Sequence, residues 1–150
     1  MTDILPHLVG HMRWADSLVA AALIDDTPAE AVRLFAHIAS VEHLWYQRIL
    51  GEPARYDVWP SLSARESSGI AAAHADLFDR LLTENDEPAL SRIVQYRNSA
   101  GREYASAVSE IVVHTAMHGE HHRGQIARLI RAAGLEPPYT DYIQYSRRDQ

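Results

Sequence analysis

Residues 106–133 read SAVSEIVVHTAMHGEHHRGQIARLIRAA and set four histidines, His114, His118, His121 and His122, into a segment whose apolar positions follow a helical period. At about 100° per residue, Ile111, Val112, Thr115, Gly119, Ile126, Leu129, Ile130 and Ala133 gather in a stripe roughly 120° wide, the mark of a helix with one buried face. His118 and His122 fall inside that stripe. His114 and His121 flank it by about 40–60°, and Glu120 and Arg123 point elsewhere. Imidazoles at i and i+4 stand one turn apart, with Cβ atoms about 6 Å from each other, so both can bind one cation. Burying two such rings without partners is costly, and a divalent ion that takes both lone pairs removes the cost. HxxxH is nevertheless a short pattern, and a hydrogen-bonded core pair is the alternative reading.

Working outward, residues 3–25 predict a first helix that starts at Thr2 or Asp3, with Pro6 in its opening turn and Ile4, Leu8, Ala15, Leu18, Val19 and Ala22 on its apolar face. His7 and His11 form a second HxxxH there, with His11 inside the stripe and His7 at its edge. Periodicity alone does not dismiss this rival pair. Thr27-Pro28-Ala29-Glu30 predicts a capping box with proline at the first helical position, and the helix it opens should run to Leu50 and stop at Gly51 before Pro53. On that helix Leu34, Val41, Leu44 and the stem of Arg48 lie within about 60° of His37, whereas His43 lies some 120° away. His37 is therefore predicted to point inward and His43 not.

Residues 51–62, GEPARYDVWPSL, read as an ordered loop. Ser63-Ala64-Arg65-Glu66 predicts a capping box opening a third helix through about Thr83, with Ile70, Leu77, Phe78 and Leu81 facing in and an isolated His74 that reads as surface or structural. Residues 90–107 lose the helical period and predict a hairpin with strands 93–97 and 102–105 around Asn98-Ser99-Ala100-Gly101. Gly134 suits the position after the last long helix. Pro137-Pro138 forbids its continuation and leaves a partly extended tail whose Tyr139, Tyr142 and Tyr145 can pack back. Four long amphipathic segments with short connections predict an all-α chain: one domain, an antiparallel four-helix bundle with a hairpin before the last long helix.

The 150 residues are 47% hydrophobic and 23% charged, ordinary globular values, and carry a formal charge of −6 with no basic block to grip a phosphate backbone. Composition thus argues against nucleic-acid binding. No cysteine is present, which excludes disulfides, thiolate metal sites and thiol nucleophiles, so any metal must sit on nitrogen and oxygen. The opening MTDILPHL has neither a basic region nor a long apolar run, so neither a signal peptide nor a membrane span is expected, and the default expectation is cytoplasmic.

In a bundle, His37 on the second helix can converge with His118 and His122 on the fourth. Three neutral imidazoles leave a Zn, Ni or Fe ion at least one open position, where a water is acidified toward ~7 or an external thiol binds as thiolate. Gln125 and Glu42 are candidates to orient the ligands. HGEHH is not an HExxH motif, because Glu120 lies about 160° from His118 around the helix.

The runs HMRWADSLVAAAL, FAHIASVEHLWYQRILG, YRNSAGREYASAVSEIVVHTAMHGEHHRGQIARLIRAAG and EPPYTDYIQY, in that order, resemble the segments of the DinB-like (damage-inducible) family of bacterial four-helix bundles over nearly the whole chain. The resemblance implies a tri-histidine metal site whose ligands match His37, His118 and His122, and a tendency to form homodimers. It also implies kinship with the amino-terminal domains of isomerases and transferases that use mycothiol, bacillithiol or glutathione. Asp16 departs from the pattern, since many relatives carry asparagine after RWA. Three functions stay open: a metalloenzyme for thiol transfer or hydrolysis of a small molecule, a non-catalytic stress-response bundle with a structural metal, and a packed histidine core. The expected partners are a small molecule and a second copy of the chain, with no nucleic acid or membrane.

Overall fold

The computed structural model describes residues 4–148, and a helix start at Thr2 or Asp3 lies outside them. The chain runs α1 (Ile4–Ala22), α2 (Ala29–Leu50), α3 (Ala64–Glu84), α4 (Glu87–Leu90), β1 (Ile93–Arg97), β2 (Glu103–Ala107), α5 (Val108–Ala132) and α6 (Tyr142–Ser146). It is mostly helical, with one antiparallel hairpin pairing Ile93 with Ala107 and Arg97 with Glu103. Both α1 and α2 pack against α3 and α5.

Local signals explain most boundaries. Ser63 Oγ accepts from the Glu66 amide while Glu66 accepts from the Ser63 amide, so α3 starts on a complete capping box. Gly51 ends α2 in the left-handed region at φ 73°, and Gly134, at φ 79°, follows α5 in the same way. The start of α2 differs from expectation. Pro28 is its N-cap, and Thr27 instead turns back on α1, accepting from the Ile24 amide (2.9 Å) and donating to the Ala22 carbonyl (3.3 Å). The second strand lies two residues later than predicted at its C-terminal end, α4 is an extra turn, and the partly extended tail ends in the helical turn α6. Its tyrosines do pack back: Tyr142 and Tyr145 close on His11 of α1.

Two apolar clusters form the core. One joins Leu5, Val9, Met12, Ile49, Phe78, Val108, Ile111 and Val112; the other joins Val19, Leu34, Phe35, Ile38, Ile126 and Ile130. Between them, along each of three helices, lies a polar stretch: Asp16 on α1, Ser40 to Gln47 on α2, and Thr115 to Arg123 on α5. The expected apolar face of α1 is rotated. Its buried line is Leu5, Val9, Met12, Asp16 and Val19, while Ile4 is exposed. A buried carboxylate in mid-stripe is what hid that line from a hydrophobic count.

Asp16 is buried because Arg123 is. The Arg123 side chain has no solvent exposure, and it donates from Nη1 to Asp16 (2.8 Å) and from Nη2 to Glu120 (3.1 Å). This corrects the expectation that Arg123 points elsewhere: α5 packs on both α1 and α2, so its buried arc is wider than one stripe. Gly119 makes the room, since a Cβ there would lie 2.8 Å from Arg123 Nη1. Glu42, also expected at the site, is fully buried beside this pair, with neither carboxyl oxygen in hydrogen-bonding geometry. Burial first, and then the Asp16 charge, push its pKa well above the ordinary carboxylate value.

Removing Arg123 strands a buried Asp16 charge. Arg123→Ala should therefore lower unfolding free energy by about 3–5 kcal/mol, measured by urea denaturation at pH 7. Glu42→Gln, which mimics the neutral acid, should cost much less.

Candidate metal centre

From Leu34 to His43 every residue of α2 is buried, so the imidazole of His37 must find partners inside the protein. Its Nδ1 donates to the Val58 carbonyl at 2.7 Å, and its ring stacks on Trp59 with centroids 3.7 Å apart and planes 6° from parallel. Both partners come from the loop between α2 and α3. Arg33, one turn before His37, lies 4.4 Å from the Trp59 centroid. On α5, the His122 Nδ1 donates to Gln125 Oε1 at 2.6 Å, the orienting contact expected of Gln125.

With these Nδ1 protons committed to oxygens, the neutral rings of His37 and His122 carry their lone pairs on Nε2. His37 Nε2 and His118 Nε2 are 3.1 Å apart, and one ring nitrogen from each of His37, His118 and His122 lies within 4.8 Å of the others. Among the described residues this is the one group of three or more His, Asp or Glu side chains that gathers so closely. The arrangement fits a divalent ion. Two nitrogens on one tetrahedral Zn at ~2.0–2.1 Å stand about 3.3 Å apart, close to the His37–His118 separation. The donor set is three neutral nitrogens, and it suits Zn, Ni or Fe.

Electrostatics favour the neutral form of His118 and His37. Burial, and then the neighbouring His122 and His37, lower the His118 pKa to about 3. Burial also lowers that of His37, against the raising effect of the Val58 carbonyl.

The remaining histidines go elsewhere. His11 is buried but donates from Nε2 to the Thr140 carbonyl (2.6 Å), anchoring the tail, and neither it nor the exposed His7 belongs to the cluster. His114 packs on Trp45, and His121 is exposed. The expectation that His43 does not point inward is corrected. It is buried against α3, where its Nδ1 meets His74 Nε2 at 3.0 Å. His74 is a buried structural residue, one of the two roles its sequence position allowed. Glu120 is held by Arg123. Val58 and Trp59 were missed altogether: the loop composition announced order but not which residues touch His37.

A mostly helical chain that brings three histidines from two long helices to one point is a helical protein with a metal-competent tri-histidine cluster. The chain belongs to the DinB family, whose model matches residues 21–150 and so includes all three histidines. It is 35% identical over 75 residues to Protein DinB of Bacillus subtilis (strain 168), an alignment that covers 47% of this chain and 44% of that relative. The aligned stretch thus spans less than half the length of either protein.

His43 titrates at about 4 in the fold, against 6.5 for an ordinary histidine, mainly through burial. The unfolded chain binds the proton first, so the stability His43 contributes is complete above pH 6.5 and drains as pH falls toward 4. Thermal melts of chelator-treated protein should show this decline, with a shallower slope in His43→Gln.

Proposed function

We propose that this chain holds a divalent ion, Zn, Ni or Fe, through His37, His118 and His122, and that it is a metalloenzyme acting on a small molecule by low-molecular-weight thiol transfer or hydrolysis. The observation that carries the reading is the trio of ring nitrogens within 4.8 Å, two of them on rings whose other nitrogen already has an oxygen acceptor. When bound there, the ion supplies Lewis acidity that lowers the pKa of a water or thiol at its open position. The protein's part is orientation: Val58 and Gln125 fix two imidazoles, and Trp59 covers one face of His37. Room for the organic part of a substrate lies along α5. A groove of about 900 Å³, mostly apolar, is lined by Trp45, Val113, His114 and Met117, and the His114 ring is 6.0 Å from that of His118.

The same reading takes the four long helices as an antiparallel four-helix bundle forming one domain of 1–150, paired as a homodimer in the cytoplasm. Among the described residues no helix is long and apolar enough to cross a membrane. A second reading, a stress-response bundle with a purely structural metal, is favoured by one feature: the triad ties α2, α5 and the loop at Val58 together.

Untagged protein should carry about one ion per chain and His118→Ala almost none, by elemental analysis. Equal traces in both would end the metal reading. Because the ligands must be neutral, the ion should leave with proton uptake as pH falls, below the range in which ordinary histidines release a metal, since burial lowers the pKa of His118 to about 3. Loss of the ion at low pH without proton uptake would contradict histidine ligation. If metal removal lowers the melting temperature while thiol-transfer and hydrolase assays stay blank, the structural-metal reading wins.

A further inference from the structure

A second histidine pair bears on the first through the loop. The Arg55 amide donates to His43 Nε2 (2.9 Å), so that nitrogen carries no proton and the His43 proton sits on Nδ1. It is donated to His74 Nε2 (3.0 Å), which places the His74 proton on Nδ1, donated in turn to the Ile70 carbonyl (2.8 Å). One set of tautomers satisfies this relay, and it uses every nitrogen of both rings. It runs from the loop through α2 to α3.

The loop has little else to hold it. Residues 51–59 are all exposed and lie outside any helix or strand, so no apolar burial fixes them. Beyond the bonds of the Gly51 and Glu52 amides to the end of α2, they are fastened at two points. Arg55 is bonded to His43, with the Tyr56 ring 4.9 Å from the imidazole. Val58 accepts from His37 Nδ1 and from Ser40 Oγ (2.9 Å), with Trp59 stacked beside it. The relay ties down one point, and the other is the support of His37.

We propose that His43 and His74 are positioning residues for His37: by pinning Arg55, they hold the loop so that the Val58 carbonyl and the Trp59 ring fix the His37 tautomer and orientation. Without the pin, Val58 sits on a longer free tether, and the entropy of closing that tether weakens its hold on Nδ1. His37 then exchanges tautomers and turns, and its Nε2 is no longer aimed at its neighbours. Burial lowers the pKa of both relay rings, and the Arg55 charge acts in the same direction, which keeps them neutral near pH 7 beside Tyr56, Tyr46, Glu52 and Glu66.

The inference concerns the same site as the proposed metal centre, but it is readable without metal. In histidine-¹⁵N-labelled, metal-free protein at pH 7, nitrogen shifts should show His37 as a single Nδ1–H tautomer in the wild type and as a mixture in His43→Ala. Arg55→Pro deletes the donated amide in an exposed loop and leaves every helix untouched, so it should reproduce the mixture even if His43→Ala folds poorly. His43→Gln, which offers one acceptor and one donor, should restore most of the wild-type signal. In a Co²⁺ titration followed by visible absorption, His43→Ala and Arg55→Pro should bind about 10–100-fold more weakly than wild type, the usual cost of losing an orienting contact. A single His37 tautomer in both variants, with unchanged Co²⁺ affinity, would overturn the proposal. If wild type takes up no Co²⁺, the metal reading fails, and the tautomer measurement still decides the relay.

Discussion

The burial of α2 on all sides from Leu34 to His43 is the constraint from which the rest follows. This helix carries His37, Ser40, Glu42, His43 and Gln47 into the interior, and a buried polar group without a partner costs on the order of 1–3 kcal/mol. Each residue solves the problem in a different direction. His37 and Ser40 recruit the Val58 carbonyl, His43 recruits Arg55 and His74, and burial beside Asp16 raises the pKa of Glu42. The loop after α2 is ordered by these demands and not by a core of its own. Gln47 Oε1 and the two carboxyl oxygens of Glu42, with no hydrogen-bond partner among the described residues, are the exceptions.

The polar stretch lies between two apolar clusters, and that placement has an energetic logic. Cooperative stability comes from the aliphatic and aromatic groups at either end, which leaves the middle layer free to hold groups that a purely hydrophobic core would exclude. The Asp16–Arg123 pair fixes α1 against α5 in that layer, and the triad fixes α2 against α5. A buried ion pair adds little net stability over well-packed apolar groups; this one joins α5 to α1 at Arg123, the residue after His122.

How far the sequence could be read follows from which signals are local. Ser63 with Glu66, Gly51 and Gly134 act on their own turns, and each did what its chemistry predicts. The hairpin was visible because residues 93–97 break the helical period, and the triad because 3.6-residue geometry puts His118 and His122 on one face and selects His37 over His43 as their partner. Thr27 failed because a competing partner, the end of α1, was closer than the helix it was expected to cap. Arg123 and His43 failed for a shared reason. Each is a polar residue buried by a partner on another helix, and a periodicity count scores polar residues as solvent-facing. Val58 contributes a backbone carbonyl, which no side-chain pattern encodes.

Two pairs of imidazoles in this protein meet nitrogen to nitrogen at nearly the same distance, His37 with His118 at 3.1 Å and His43 with His74 at 3.0 Å, so neither proximity nor burial separates a ligand from a core histidine. Counting protons and lone pairs does. The two neutral rings of the relay supply two N–H groups and two lone pairs, and Arg55, Ile70 and the mutual bond consume them all. The three rings of the triad supply three lone pairs that no backbone amide or other side-chain donor reaches among the described residues. Should His118 carry its proton on Nε2, it satisfies His37 and leaves His122 bare. Should it carry the proton on Nδ1, two lone pairs face each other across 3.1 Å. In both cases the cluster keeps electron pairs that a cation would take up, and the relay keeps none.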